Sequence, residues 1–164
     1  MNKLEEMFLT RTNACEDDLI LYTDLTKEIA LKYLNKEDFT FLIVGATSDK
    51  HFEYKKEIER TVIVYGLKDK VHILNAVSDM PALYSICDIV VCPTITAEAF
   101  GRTITEAQAM NKLVIATRIG APVEIIVEKK TGFLVSPNDP SEMMDTLKKV
   151  FKMEVGKAIR LKGA

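Results

Sequence analysis

Residues 88–110 read DIVVCPTITAEAFGRTITEAQAM, and this stretch decides the fold of the chain. It opens with an apolar, β-branched run that ends at Pro93 and closes with a segment rich in small helix formers. The pattern predicts a strand, a loop and a helix, with Glu98 in the loop and Glu106 on the helix. In an open α/β sheet, ligands bind outside the carboxyl ends of the strands, so we expect a site at this loop.

Length and composition are those of an ordinary globular protein. The chain has 164 residues, of which 48% are hydrophobic and 28% charged, enough for one domain with its own core. A net charge of −2 gives no overall field that would recruit nucleic acid. The first residues lack the pattern of a signal peptide, and no apolar run approaches the roughly 20 residues of a membrane span. We therefore expect a cytoplasmic protein.

The three cysteines, Cys15, Cys87 and Cys92, show no Cys-x-x-Cys spacing. This pattern favours small buried side chains over a disulfide framework or a zinc site. His51 and His72 have no partners at metal-ligand spacing, so we predict no metal site.

Strands and helices alternate on both sides of this stretch. The apolar runs predict strands at 39–45, 71–74, 88–92, 113–116 and 133–135. Helical spacing and capping residues predict helices at 15–34, 50–65, 81–86, 122–127 and 138–150, and one that ends near Met110. The alternation predicts an α/β fold, a Rossmann-like three-layer αβα domain with a mostly parallel sheet.

The domain prediction treats residues 1–164 as a single Rossmann-like domain. Residues 1–14 are poorly defined by sequence, although Phe8 and Leu9 could belong to a short strand. Residues 154–164 form a basic tail, for which a solvated state and peripheral contact with an anionic membrane surface are alternatives. Local signals also predict that Ser78 caps a helix start, while Gly66 and Asn111 end helices.

Known phosphate-binding motifs are absent from the sequence. Gly45 ends a strand as in a dinucleotide-binding turn, but no Gly-x-Gly-x-x-Gly or Gly-Lys-Ser/Thr follows it. Residues 100–103, Phe-Gly-Arg-Thr, offer a different anion site at the start of a helix. Backbone N–H groups are unpaired at a helix start, glycine allows close approach of a phosphate, and Arg102 could add charge.

Glu98 and Glu106 have several interpretations. Eight residues apart, they are poorly placed to form a close carboxylate pair of the kind that glycoside hydrolases use. Each could instead accept hydrogen bonds from ligand hydroxyl groups. Spacing alone equally allows Glu98 to be a solvated loop residue and Glu106 a helix surface residue.

Residues 98–110 resemble the Glu, seven residues, Glu motif of retaining nucleotide-sugar glycosyltransferases of the GT-B fold, most like glycosyltransferase family 4. Residues 114–126 are similar to the next strand and loop of that family, and residues 131–140 to its closing segment. Upstream segments fit the same template at 41–45, 71–80 and 88–93, so the resemblance covers roughly residues 39–150.

The resemblance implies a donor site for a nucleotide-diphosphate sugar, which is a substrate, with no metal or other cofactor. Glu98 would be the catalytic glutamate that binds hydroxyls of the transferred sugar, and Glu106 would bind the ribose. The segment expected to hold the sugar and diphosphate comprises Ala99, Phe100, Gly101, Arg102 and Thr103. The residues expected beside the nucleobase are Gly45, Asn75, Ala76 and Val77. Related enzymes build cell-envelope polysaccharides or glycolipids.

The chain departs from the family in two ways. It resembles only the C-terminal, donor-binding half of a GT-B enzyme, so a separate N-terminal, acceptor-binding domain would be needed. The family also has a Gly-Arg turn near the start of this half, with a lysine soon after. In the family that arginine and lysine neutralise the diphosphate, so the resemblance implies that Arg11 binds the diphosphate. Here Arg11 stands without a preceding glycine, and the next basic residue is Lys27.

These departures leave three hypotheses. The chain could be the donor domain of a working glycosyltransferase. It could be a non-catalytic, truncated remnant or a nucleotide-sugar-binding module. It could also self-associate through the face that a partner domain would otherwise cover.

Overall fold

The computed structural model describes residues 6–12, 39–45, 52–97 and 99–152. Within these ranges the strands are β1 (Glu6–Thr12), β2 (Phe39–Gly45), β3 (Val71–Leu74), β4 (Ile89–Cys92), β5 (Leu113–Thr117) and β6 (Phe133–Val135). The helices are α1 (Phe52–Val64), α2 (Met80–Ile86), α3 (Arg102–Ala109), α4 (Pro122–Ile125) and α5 (Pro140–Lys152). The helix predicted at 15–34 and the basic tail at 154–164 lie outside the described residues.

All six strands form one sheet in the order β3-β2-β1-β4-β5-β6. Every neighbouring pair is parallel, as shown by Phe8 opposite Phe41 in β1–β2 and Val90 opposite Val114 in β4–β5. The chain moves outward from β1 to β3 and then returns to place β4 on the other side of β1. This order confirms the predicted α/β fold with a parallel sheet.

Alternate residues of each strand supply two separate core layers. In β4, Ile89 and Val91 belong to one layer, whereas Val90 and Cys92 belong to the other. All four side chains are buried, as expected for a parallel strand covered on both faces. The continuous apolar run that predicted this strand therefore reflects burial on two sides.

Helices cover both faces of the sheet. The first layer includes Ile58 of α1 and Leu147 of α5. The second layer includes Leu83 of α2 and Ile104 of α3. The three-layer αβα arrangement is confirmed. It places α2 and α3 on the same face.

The strand β1 is longer and better defined than the sequence predicted. Residues 1–14 were predicted to be poorly defined, yet Glu6–Thr12 forms a seven-residue strand at the centre of the sheet. It pairs with β2 from Glu6 opposite Phe39 to Thr12 opposite Gly45, and with β4 on its other side. The polar residues in this segment weaken its apolar signal, so only long-range pairing identifies it as a strand.

The ends of α1 and α3 follow the sequence prediction. Gly66 and Asn111 both adopt positive φ, at 66° and 56°. At each end the next residue closes the turn: the N–H of Leu67 donates to the carbonyl of Val62 (2.8 Å), and that of Lys112 to Ala107 (2.9 Å). This is the Schellman pattern, in which a left-handed residue satisfies the last free carbonyls of a helix.

The start of α2 differs from the prediction. Asp79, and not Ser78, is the N-cap residue, because its Oδ1 accepts a hydrogen bond from the N–H of Ala82 at 3.0 Å. The helix begins at Met80, one residue earlier than predicted, and the N-cap is the residue directly before it, Asp79. Within the described part of the chain, no helix is long and apolar enough to cross a membrane.

Candidate functional site

The candidate site lies at the carboxyl edge of the sheet, where the strand order reverses between β1 and β4. Thr10 of β1 pairs with Val91 of β4, so both strands end at this edge. Arg11 is the next-to-last residue of β1, opposite Val44. Its backbone is therefore next to the strand from which the loop of residues 93–101 departs.

The loop after β4 is fastened to the end of β5. The buried hydroxyl of Thr117 donates to the carbonyl of Thr94, and the carbonyl of Cys92 lies 3.5 Å from the same hydroxyl. Within the loop, the hydroxyl of Thr94 donates to the carbonyl of Thr96 (3.0 Å) and accepts from its N–H (3.3 Å). These bonds fix the course of the loop as it leaves the sheet.

Helix α3 begins directly after this loop, as the sequence predicted. Gly101 is its N-cap, with φ 54° and ψ 36°, and no side chain caps the first turn. The helix itself provides no partners for the N–H groups of its first residues, Arg102 and Thr103. Together with the positive end of the helix dipole, these groups can bind an anion.

Gly101 is also required for packing. A Cβ at this position would lie 2.5 Å from Cδ1 of Ile125 and 3.4 Å from Cβ of Ala121. The missing side chain therefore lets α3 start against α4. The sequence interpretation considered only the approach of a phosphate, whereas the described contacts give a structural reason for the glycine.

The residues around this helix start differ in exposure. Ala99 and Arg102 are exposed, and Phe100 is 80% exposed, while Thr103 is buried. Glu98, the predicted catalytic glutamate, lies outside the described residues. An exposed Arg102 at the start of α3 can supplement the backbone N–H groups with a positive charge.

Glu106 lies on α3 and contacts α2. Its Oε2 accepts a hydrogen bond from the hydroxyl of Tyr84 at 3.0 Å, and Tyr84 is only 1% exposed. Glu106 itself is half-buried. It is therefore not the freely solvated helix residue that spacing alone would allow.

The predicted nucleobase loop follows the edge strand β3. Asn75 and Ala76 are exposed, and Val77 is half-buried against the same core layer as α2 and α3. Oδ1 of Asn75 accepts a hydrogen bond from Nζ of Lys55 at 3.2 Å. Gly45 ends β2, the strand adjacent to β3, so both segments lie at the carboxyl edge of the sheet.

The closing segment supports α3 from the other side. Nε2 of Gln108 donates to the carbonyl of Thr131 at 3.1 Å, and the hydroxyl of Thr131 accepts from the N–H of Val127 at 2.8 Å. At Gly132, a Cβ would lie 2.7 Å from the carbonyl oxygen of Val114. This glycine allows the segment to approach β5 closely.

Cys87 directly follows α2 and precedes β4, so it lies at the amino edge of the sheet, opposite the edge of the candidate site. Burial raises the pKa of its thiol to about 11, an effect that nearby Lys112 opposes and Asp88 reinforces. Its Sγ donates to the carbonyl of Leu83 at 3.1 Å. A protonated, buried thiol is a packing group and not a nucleophile at neutral pH.

The described contacts add residues that sequence reasoning missed. Tyr84, Thr117 and Ile125 each touch a predicted site segment from more than twenty residues away in the chain. Their sequence signals were those of ordinary helix and strand residues. A tyrosine hydroxyl that is buried requires a partner, but the sequence does not name that partner.

Comparison with known proteins shows which protein family the chain is similar to. Residues 22–162 match the family model described as glycosyl transferases group 1. Among curated proteins, the lipopolysaccharide core biosynthesis mannosyltransferase LpcC of Rhizobium leguminosarum bv. viciae is 30% identical over 118 residues. That match covers 71% of this chain and 33% of the relative.

Solved structures share the fold, as two examples show. The C-terminal domain of a glycosyl transferase group 1 protein (LpcC) from Francisella tularensis gives a TM-score of 0.77 at 27% identity, covering 97% of this chain and 82% of that one. HepE from Anabaena, solved in complex with UDP and glucose, gives a TM-score of 0.83 at 22% identity, covering 97% of this chain and 42% of that one. The chain spans about a third of the length of the first curated relatives that it matches.

Proposed function

Since the chain belongs to the group 1 glycosyl transferases, we propose that it binds a nucleotide-diphosphate sugar as the donor-binding domain of such an enzyme. One observation carries the proposal. The segment of residues 99–110 starts a helix at the carboxyl edge of a Rossmann-like sheet, and its glutamate, Glu106, is held by a second helix. This edge is where nucleotides bind in folds of this type.

The proposed donor extends along this segment. The diphosphate lies at the start of α3, against the backbone of residues 100–103, and the ribose hydroxyls donate to Glu106. The sugar lies toward Ala99 and Glu98, and the base lies beside the loop of residues 75–77. The presence of UDP and glucose in HepE, which shares the fold, supports a nucleotide and a sugar as the ligand class.

The proposed transfer retains the configuration of the sugar and needs no metal. Negative charge develops on the diphosphate as the sugar leaves. The free N–H groups at the start of a helix point toward such a charge and stabilise it without having to reorganise during the reaction. Arg102 and Arg11 would add positive charge, in the manner of an oxyanion hole built for a diphosphate.

The acceptor is proposed to bind to a separate domain. The chain corresponds to 82% of an isolated C-terminal domain and to about two fifths of HepE. A donor half alone offers one wall of a cleft, so transfer would need the other half in the same or another chain. The relationship to a lipopolysaccharide core mannosyltransferase supports a role in cell-envelope synthesis.

Titration calorimetry with UDP, GDP, ADP, UDP-glucose and GDP-mannose tests the donor proposal. We expect one base to give saturable binding, which weakens as salt is added because the diphosphate is charged. In the variant Glu106→Gln, the affinity for that nucleotide should fall about tenfold, since a hydrogen bond to a charged group is replaced by a weaker one.

The matched control is Glu59→Gln, which changes an exposed glutamate on α1, a helix of the opposite sheet face. Its affinity should equal that of the wild type. A folded wild-type chain that binds none of the five nucleotides at millimolar concentration would refute the proposal.

A second candidate function is a nucleotide-sugar-binding module without transfer activity, a truncated remnant of an enzyme. It is favoured by Arg11, which lacks the preceding glycine and the following lysine of the family pattern. The two candidates predict the same binding but different turnover. Transfer of a labelled sugar to any lipid or glycan by this chain would exclude the second.

A further inference from the structure

Tyr84 joins α2 to the motif glutamate through a 3.0 Å hydrogen bond from its hydroxyl to Oε2 of Glu106. We infer that Tyr84 is a positioning residue, which orients Glu106 for recognition of the ribose. The inference deepens the proposed function and rests on it, because it assigns a role at the same site.

The environment of Tyr84 makes its hydroxyl a fixed donor. The side chain is 1% exposed and belongs to the core layer that also contains Leu83 and Cys87. A phenol hydroxyl in such surroundings is costly to leave without a partner. The ring is locked by packing, so the direction in which it donates is also fixed.

Both partners are held by the sheet and not by loops. Ile104 and Ala107, which flank Glu106 on α3, lie in the same core layer as Tyr84. The separation between the tyrosine and the glutamate is therefore set by how α2 and α3 pack on one face. A rigid scaffold of this kind can hold a functional carboxylate within a narrow range of orientations.

The bond from Tyr84 prepares Glu106 to bind the ribose hydroxyls. A carboxylate has about four lone-pair positions, so it can accept from Tyr84 and from ligand hydroxyls at the same time. A long glutamate side chain normally loses rotamer freedom when it binds a ligand. Because the Tyr84 hydroxyl restricts that freedom before binding, less affinity is lost when the ribose hydroxyls are bound.

The test compares Tyr84→Phe with the wild type in titrations of UDP and 2′,3′-dideoxy-UDP, which lacks both ribose hydroxyls. If another base binds better, the corresponding pair of nucleotides is used. Tyr84→Phe should weaken binding of the ribonucleotide about fivefold to tenfold. It should leave binding of the dideoxynucleotide unchanged, because that ligand has no ribose hydroxyl that could donate a hydrogen bond to Glu106.

A double-mutant cycle with Glu106→Gln provides the second readout. Once the carboxylate is replaced, Tyr84→Phe should cause less additional loss of UDP affinity than it does in the wild type. The control is Tyr65→Phe, which alters a tyrosine that packs against the opposite core layer. It should change the affinity for neither nucleotide.

The outcomes separate the inference from the proposed function. If Tyr84→Phe weakens both nucleotides equally, or weakens neither, the positioning role is wrong although donor binding stands. If the folded wild type binds no nucleotide, the proposed function fails first. Should Tyr84→Phe not fold, the ¹³Cζ chemical shift of Tyr84 in the wild type should still move with UDP and stay fixed with dideoxy-UDP, and the opposite result would overturn the inference.

Discussion

Replacing Gly101 by alanine adds one methyl group where α3 meets α4. The backbone there has φ 54°, a left-handed conformation that costs a residue with a Cβ about 1–2 kcal/mol. The new Cβ would also lie 2.5 Å from Cδ1 of Ile125, and overpacking of this kind costs about 1–3 kcal/mol. Since Cδ1 is the movable end of its side chain, we expect a total loss of stability of about 2–4 kcal/mol.

Gly66 offers a matched control. It has φ 66°, but a Cβ built there meets nothing within 4 Å. Gly66→Ala should therefore cost only the backbone term, about 1–2 kcal/mol. The difference between the two variants in urea unfolding measures the contact with α4 alone.

Shortening Ile125 to valine removes the atom that the new methyl group would meet. In the Ile125→Val background, Gly101→Ala should cost about as much as Gly66→Ala does in the wild type. Two results would refute this account of the glycine. In one, Gly101→Ala and Gly66→Ala lose equal stability in the wild type. In the other, Gly101→Ala loses the same stability with and without Cδ1 of Ile125.

Three other features give direct tests. Thr117→Val keeps the shape of a buried side chain but removes its hydrogen bond to the carbonyl of Thr94. Urea unfolding should show a loss of stability of about 1–3 kcal/mol, and hydrogen exchange should be faster in the loop of residues 94–97. Unchanged stability and exchange would mean that the bond does not hold the loop. Because burial raises the pKa of Cys87 from 9.0 to about 11, the native state binds more protons than the unfolded state between those pH values. Stability should therefore fall by about 2–3 kcal/mol as the pH rises from about 9 to 11, and a Cys87→Ala variant should lack this component; equal pH dependence in both proteins would contradict it. Asp79→Ala should cost about 1 kcal/mol in thermal or urea unfolding, whereas Ser78→Ala should stay within about 0.5 kcal/mol, and the reverse order would restore Ser78 as the N-cap.

Local patterns were sufficient for much of the fold. The run of residues 39–45 is apolar on both faces and became β2, and Gly66 and Asn111 adopt the left-handed conformations that helix ends favour. Each of these features is decided by residues within a few positions of one another. By contrast, β1 owes its place to partners far along the chain, which a local pattern does not reveal.

The candidate site shows the same division. The helix start at Gly101 follows from adjacent residues and was predicted correctly. The bond from Tyr84 to Glu106 joins residues 22 positions apart, and the bond from Thr117 to Thr94 joins residues 23 positions apart. Such pairs depend on how helices and strands pack, which propensity and spacing do not encode. The ligand-binding roles of all the predicted site residues, Glu98, Glu106 and Arg11 among them, remain predictions from the resemblance.

The central position of β1 has a consequence for the order of events during translation. Phe8 pairs with Phe41 on one side and with Ile89 on the other, so about eighty residues separate β1 from its second partner. At typical synthesis rates of about 5–20 residues per second, β1 would wait on the order of ten seconds for that partner to be made. During this interval a nascent chain would present an open strand edge, to which a chaperone or a second nascent chain could bind.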